Sequence, residues 1–245
     1  DHRDLHSFPT RRSSDLSGMT FPFSLEKKRS KGLSDKSITL DVIRRGLTLF
    51  FLGLVYEGFF QFHFESLRIP SVLGRIGLAW MLAAILYCHT GKKAQWGVAA
   101  GILIGYFLLL KLVVAPDAPA GADSLSKEGN IAFYIDRLLL PDNIYKPGVY
   151  DPEGILSTIP AVVTAMLGMF TGRYVKESPA TGERKTLNML AAAIVMAIVA
   201  VVWAHWFPVI KKLWTSTFVL ACGAWSIGLF AVFYYLIDVK GWRKG

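Results

Sequence analysis

The stretch Leu187–Phe207, LNMLAAAIVMAIVAVVWAHWF, decides the fold. It contains no Lys, Arg, Asp or Glu, and it is long enough to cross a hydrocarbon core of ~30 Å, which takes about 20 helical residues. Basic pairs bracket it: Arg184 and Lys185 precede it, and Lys211 and Lys212 follow it. Comparable apolar blocks lie at roughly 46–62, 71–88, 94–114, 154–174 and 214–237. Only 18% of the 245 residues are charged and 53% are hydrophobic, whereas a soluble domain carries about a quarter charged residues. The reading is an all-α polytopic transmembrane helix bundle of about six spans.

The linkers set an expected topology. With 26–45 (Lys27, Lys28, Arg29, Lys31, Lys36, Arg44, Arg45) taken as cytoplasmic, alternation puts 89–93, 173–186 and 239–245 on the same side. Those segments hold Lys92, Lys93, Arg173, Lys176, Arg184, Lys185, Lys240, Arg243 and Lys244. The opposite segments are poorer in base, with Arg68, Lys127, Arg137, Lys146, Lys211 and Lys212. This is the bias of the positive-inside rule. The net charge of +9 is therefore read as a topology signal, and nucleic acid is not an expected partner. The polar segment 115–152 becomes an outer loop, too long for a bare connector and expected to carry structure or a binding role.

Residues 1–16 are polar, patternless and unlike the rest. They resemble translated sequencing-adaptor read-through and are set aside as a non-native or disordered tail. Residues 17–25 look like the last turns of a preceding helix, so the transmembrane domain is read as 17–245. Cys88 and Cys222 lie in apolar blocks and read as small core residues. No Cys or His spacing suits a metal, and His63, His89 and His205 read as span-boundary residues.

Chemistry concentrates at the start of the fourth block, in Tyr150-Asp151-Pro152-Glu153-Gly154. Carboxylates at a membrane boundary are paired or used. One reading makes Asp151 the N-cap of a helix beginning at Pro152, with Glu153 favoured by the helix dipole. The other makes the pair a polar site for a hydroxylated or amine-bearing substrate, with one carboxylate as a general base. Arg68 and Arg75 flank the word Ile69-Pro70-Ser71, with Ser71 as helix cap. Arg75 either snorkels or bonds Glu57, Asp151, Glu153 or an anionic ligand. Lys211 and Lys212 beside Trp214 read as an interfacial anchor. Asn130, Asp136 and Arg137 either pair with one another or line an entrance. Pro160 should kink its helix, and Gly97, Gly101 and Gly105 should form a packing face. Unaided, these residues reach a membrane transporter or transferase with an outward polar site.

Four words in order, LRIPSVLGRIGLAW (67–80), YDPEGILSTIPAVVTAMLGMFTGR (150–173), KKLWTSTFVL (211–220) and YYLIDVKGW (234–242), resemble the heparan-alpha-glucosaminide N-acetyltransferase family and its bacterial DUF5009 or NagX-like relatives. The resemblance implies a bundle of ten or eleven helices. It implies transfer of an acetyl group from acetyl-CoA, as co-substrate, to the amino group of a glucosamine-type sugar across the membrane. The bacterial relatives are also described as N-acetylglucosamine-related permeases, and a scaffold or sensor of envelope saccharides is a third reading. The lipid bilayer, an amino sugar and a second copy of the chain are the partners implied. The location implied is a bacterial inner membrane, with 115–152 on the periplasmic side. The family's catalytic histidine would precede Phe23, outside this chain, so the chain is expected to be an inactive internal fragment. Gly74 and Ile210 stand where relatives tend to have Gln and Asn. Carried onto this sequence, the candidate catalytic residues are Asp151 and Glu153. The candidate substrate-binding residues are Arg68, Arg75, Lys211 and Trp214, with no metal.

Overall fold

A computed structural model describes residues 17–62, 67–140, 143–145 and 150–242. His63, Lys146, Arg243, Lys244 and the tail 1–16 lie outside the described residues. The described residues are helical apart from turns and one isolated bridge pairing Val114 with Asn130. The helices are α1 (Ser17–Ser30), α2 (Asp35–Tyr56), α3 (Val72–His89), α4 (Lys92–Leu112), α5 (Ile131–Leu139), α6 (Thr158–Glu177), α7 (Gly182–Ala204) and α8 (Ser216–Tyr234).

Among the described residues four segments are long and apolar enough to cross a membrane, which places the chain in a lipid bilayer: Val72–His89, Lys92–Leu112, Gly182–Ala204 and Ser216–Val239. The sequence reading of about six also counted α2 and α6. Both are long enough, at 22 and 20 residues, but their composition falls short. The first turns of α2 carry Asp35, Lys36, Asp41, Arg44 and Arg45. Apart from Lys31, which lies in the turn between them, the basic run therefore lies inside helices, in the last turn of α1 and the start of α2. α6 contains Thr158, Thr164, Thr171, Arg173, Lys176 and Glu177 because it is the central helix. It packs against α1, α3, α4 and α8, so most of its surface meets protein and need not match lipid. α7 is the opposite case. It packs mainly on α8 and leaves Leu187, Ile194, Val195, Ile198, Val201 and Val202 exposed, as a lipid-facing helix requires.

Backbones approach closely where α2 meets α3. A Cβ added at Gly77 would lie 2.7 Å from the Gly46 carbonyl oxygen. The stripe Gly97, Gly101, Gly105 does not pack in this way. A Cβ at any of the three would meet nothing within 4 Å, because α4 buries its other face, through Gln95, Ala99, Leu103, Tyr106 and Leu110.

Helix starts differ from expectation at one decisive place. α6 begins at Thr158, and residues 152–157 form turns. Asp151 is therefore not the N-cap of α6. Pro160 falls in the first turn, where its missing N–H has no carbonyl to meet, so it produces no mid-helix kink. Ser71 caps α3 as the sequence suggested, accepting from the Gly74 N–H at 3.0 Å. The segment 115–152 carries structure of its own. α5 is capped by Asn130, which accepts from the Ala132 N–H and donates to the Ser124 carbonyl.

The linkers gather at two ends. Residues 67–71, 143–145, 150–157 and 211–215 come together at one end. At the other, Lys176 pairs with Glu26, Lys92 with Glu177, and Thr39 bonds His89.

Candidate functional site

The first end is organised by Arg68. Its segment is held against the outer loop by two bonds: the Ile69 N–H donates to the Asn143 carbonyl, and Asn143 Nδ2 to the Leu67 carbonyl. From there the guanidinium reaches three carboxylates. It meets Asp151 edge-on, Nε to Oδ2 at 2.9 Å and Nη2 to Oδ1 at 2.8 Å. It also bonds Glu153 through Nη2 and Glu57 through Nη1 at 3.4 Å. The ring of Tyr145 lies 5.2 Å from its Cζ. Burial lowers the pKa of Arg68, but Asp151 and Glu153 outweigh that and hold it above its ordinary value.

Asp151 is wholly enclosed, at 0% exposure. Besides Arg68, its oxygens accept from the Tyr145 N–H at 2.7 Å and the Glu153 N–H at 2.8 Å. Four donors therefore saturate it, and it joins loop, turn and arginine into one unit. Glu153 and Glu57 are only partly enclosed and keep oxygens that Arg68 does not use.

Beneath this cluster lies Arg75, 5% exposed on the first turn of α3. Its Nη2 donates to the Pro152 carbonyl at 2.7 Å and to Ser157 Oγ. The Trp214 ring covers its Cζ at 4.8 Å. Trp214 adopts φ 51° after the turn Lys211–Leu213, and its Nε1–H donates to Thr164 on α6 at 3.3 Å. Arg75 thus does not snorkel, and it pairs with no carboxylate among the described residues.

Of the six candidates, Arg68, Arg75, Asp151, Glu153 and Trp214 converge. Lys211 is exposed; its carbonyl accepts from the Trp214 N–H at 3.1 Å, but its side chain does not join the cluster. Its neighbour Lys212 approaches instead, donating to the Tyr150 hydroxyl at 3.1 Å. Asn130, Asp136 and Arg137 do not pair with one another. Arg137 pairs with Asp117 at 2.9 Å. Asp136 is buried beneath the turn, where its Oδ1 accepts from the Ile155 N–H at 2.8 Å. A Cβ at Gly154 would lie 1.7 Å from its other oxygen, so only glycine fits there. Burial raises the Asp136 pKa to about 7. Sequence reasoning did not foresee this role, although Asp136 shares a face of α5 with Ala132 and Phe133, at helical spacing.

At the opposite end a cleft of about 580 Å³ opens between α1, the α3–α4 junction and α6. Arg29, Lys92, Lys176 and Arg173 line it together with Glu26 and Glu177. Arg173 is 8% exposed. Its Nη1 donates to Gln95 at 2.6 Å, and Tyr87 and Phe170 each lie 5.2 Å from its Cζ. No group of three or more His, Cys, Asp or Glu placed to hold a metal occurs among the described residues.

This arrangement of an arginine-locked Asp-Pro-Glu-Gly turn over a buried second arginine can be set beside known proteins. No family model matches the chain. Curated relatives do. At family level the chain is similar to the heparan-alpha-glucosaminide N-acetyltransferases. The human protein of that name is 28% identical over 229 residues, covering 74% of this chain and 34% of the relative. The mouse protein is 24% identical over 282 residues, covering 94% of this chain and 43% of the relative. The chain therefore spans less than half the length of these N-acetyltransferases.

Proposed function

We infer that this chain forms part of a membrane-embedded acetyltransferase that moves an acetyl group from acetyl-CoA to the amino group of a glucosamine-type sugar. The observation that carries the reading is the division of labour around Arg68. Asp151 is saturated and serves to build the site, whereas Glu153 and Glu57 hold spare oxygens at its mouth. Those oxygens suit an ammonium or amine and the hydroxyls beside it. Glu153 orients the acceptor and takes up its proton, Asp151 and Arg68 fix Glu153, and Arg75 with Trp214 forms the inner wall. Lys212 rather than Lys211 edges the site.

In this reading α2 and α6 complete six crossings of a bacterial inner membrane, with 115–152 on the periplasmic side and the basic cleft facing the cytoplasm. The cleft suits the phosphates of the donor. Arg29, Lys92 and Lys176 provide charge, and Arg173 lies at the base. Along α6 the two arginine sites are separated by ~24 Å, at about 1.5 Å per residue. The pantetheine arm therefore carries the acetyl group through the bundle.

The test uses the complete reading frame that contains residues 17–242, reconstituted in liposomes with labelled acetyl-CoA on one side and glucosamine on the other. Label should appear on the sugar and disappear with Glu153→Gln. Uptake of unmodified N-acetylglucosamine without acetylation would replace this reading with a permease.

A further inference from the structure

Among the described residues, three buried side-chain donors have no acceptor, and all belong to α3: Arg75 Nε, Arg75 Nη1 and Trp80 Nε1. Arg75 is the telling case. Its Nη2 is occupied by Pro152 and Ser157, but the N–H bonds of its other two nitrogens point at nothing that can accept them. Among the described residues no carboxylate forms an ion pair with it, because Asp151, Glu153 and Glu57 all turn to Arg68. A buried guanidinium left in this state is costly unless an oxygen arrives to use it.

The kind of oxygen follows from the surroundings. A permanently anionic guest would sit beside three carboxylates. An oxygen that gains negative charge only during a reaction avoids that repulsion before and after the event. Trp214 covers the guanidinium and is itself tied to Thr164, so the donors are fixed in advance and shielded from water, which is the condition for strong electrostatic stabilisation.

The geometry points to Arg75 as the oxyanion-stabilising residue of the acyl transfer, its Nε and Nη1 donating to the carbonyl oxygen of the acetyl thioester. This rests on the acetyltransferase reading given above. The acceptor nitrogen uses its lone pair to form a C–N bond to the carbonyl carbon. The C=O π pair moves onto the oxygen, where Arg75 holds it. The pair then returns, the C–S bond breaks and the thiolate leaves. The proton lost by nitrogen passes to Glu153 and ends on the departing sulfur, so thioester and amine become amide and thiol. Glu153 follows directly after Pro152, whose carbonyl Arg75 holds, so the oxyanion donor on α3 is tied to the turn that carries the base.

The test compares two CoA analogues by calorimetric titration of the complete reading frame in lipid nanodiscs. One replaces the thioester sulfur with CH2 and keeps the carbonyl as a ketone. The other is S-ethyl-CoA, which lacks the carbonyl. Wild-type protein should bind the ketone about tenfold more tightly, in line with a charge-assisted bond. Arg75→Met should erase that preference while leaving S-ethyl-CoA affinity unchanged, and Arg75→Lys should restore part of it. With acetyl-CoA, Arg75→Met should lower kcat by about 10²- to 10³-fold with little change in KM for the sugar. Equal binding of both analogues to wild type would overturn the oxyanion role and leave the acetyltransferase reading standing. That comparison needs no variant to fold. Binding of neither analogue would overturn that reading and the role together.

Discussion

The two ends of the bundle bury the same side chain by different means. Arg68 is fixed by three carboxylates, one of them wholly enclosed. Arg173 is held by a neutral amide and two aromatic faces, beside a cleft. An ion cluster fixes geometry, but breaking it is severe because the remaining charges stay buried. An amide and two rings hold an arginine more loosely and leave its charge available to a guest. The first arrangement suits a place where atoms must be positioned, and the second a place where something enters and leaves.

Substitutions can break this contrast at graded cost. Arg68→Met should have the largest effect. It strands Asp151 without its counter-ion, and the loss should be about 3–5 kcal/mol, seen as a large fall in Tm in detergent. A loss below about 1 kcal/mol would mean that the outer cluster does not hold the fold.

The next effect is a pH dependence. Folded Asp136 keeps its proton up to about pH 7, whereas in an unfolded chain it releases it near pH 4. Its contribution to stability is therefore fully present below about pH 4 and is lost as pH rises through about 7, by an amount on the order of 2–4 kcal/mol. Asp136→Asn keeps an acceptor for the Ile155 N–H and should flatten Tm against pH over that window. An unchanged slope would show that another group titrates.

Gly154→Ala comes third. Its Cβ would collide with the Asp136 carboxyl, and displacement should cost about 1–3 kcal/mol, measured as lost Tm.

At the opposite end Arg173→Met removes one hydrogen bond and two ring contacts. The expected cost is about 1–2 kcal/mol, clearly less than for Arg68→Met. Equal costs would erase the distinction between the ends. The smallest effect belongs to Lys92→Ala, whose pair with Glu177 is largely exposed and should contribute less than about 1 kcal/mol.

Much of this was legible from sequence because it depends on local chemistry. Apolar blocks with at most one charged residue announced α3, α4, α7 and α8. Ser71 after Pro70 announced a cap. The Arg-Ile-Pro and Asp-Pro-Glu-Gly words, read as neighbours of one site, are joined through Arg68 and Asp151. What stayed hidden depends on tertiary enclosure. α6 is polar for a membrane helix because protein surrounds it, and nothing local says so. The turn at 152–157 was mistaken for helix because Asp-Pro-Glu is also a good helix start. Its actual support, Asp136, comes from another element. Gln95, buried at 2% exposure under Arg173, carries no local sign of that role. The glycine stripe on α4 carries a packing signal, but periodicity alone does not say whether a neighbour meets it, and here none lies within 4 Å.

Asp151 has a consequence for how the molecule comes into being. Its partners lie at Arg68, Tyr145 and Glu153, and the bond to Arg68 closes a separation of 83 residues. The pairs α2–α3 and α7–α8 are consecutive in the chain, pack on each other and need no distant partner. Contacts between distant segments are paid for in chain entropy before they return anything. Each hairpin is therefore complete while Asp151 still lacks its arginine. The site is a late product of assembly, finished only after the chain from Arg68 to Asp151 has been made and α6 has found the middle of the bundle.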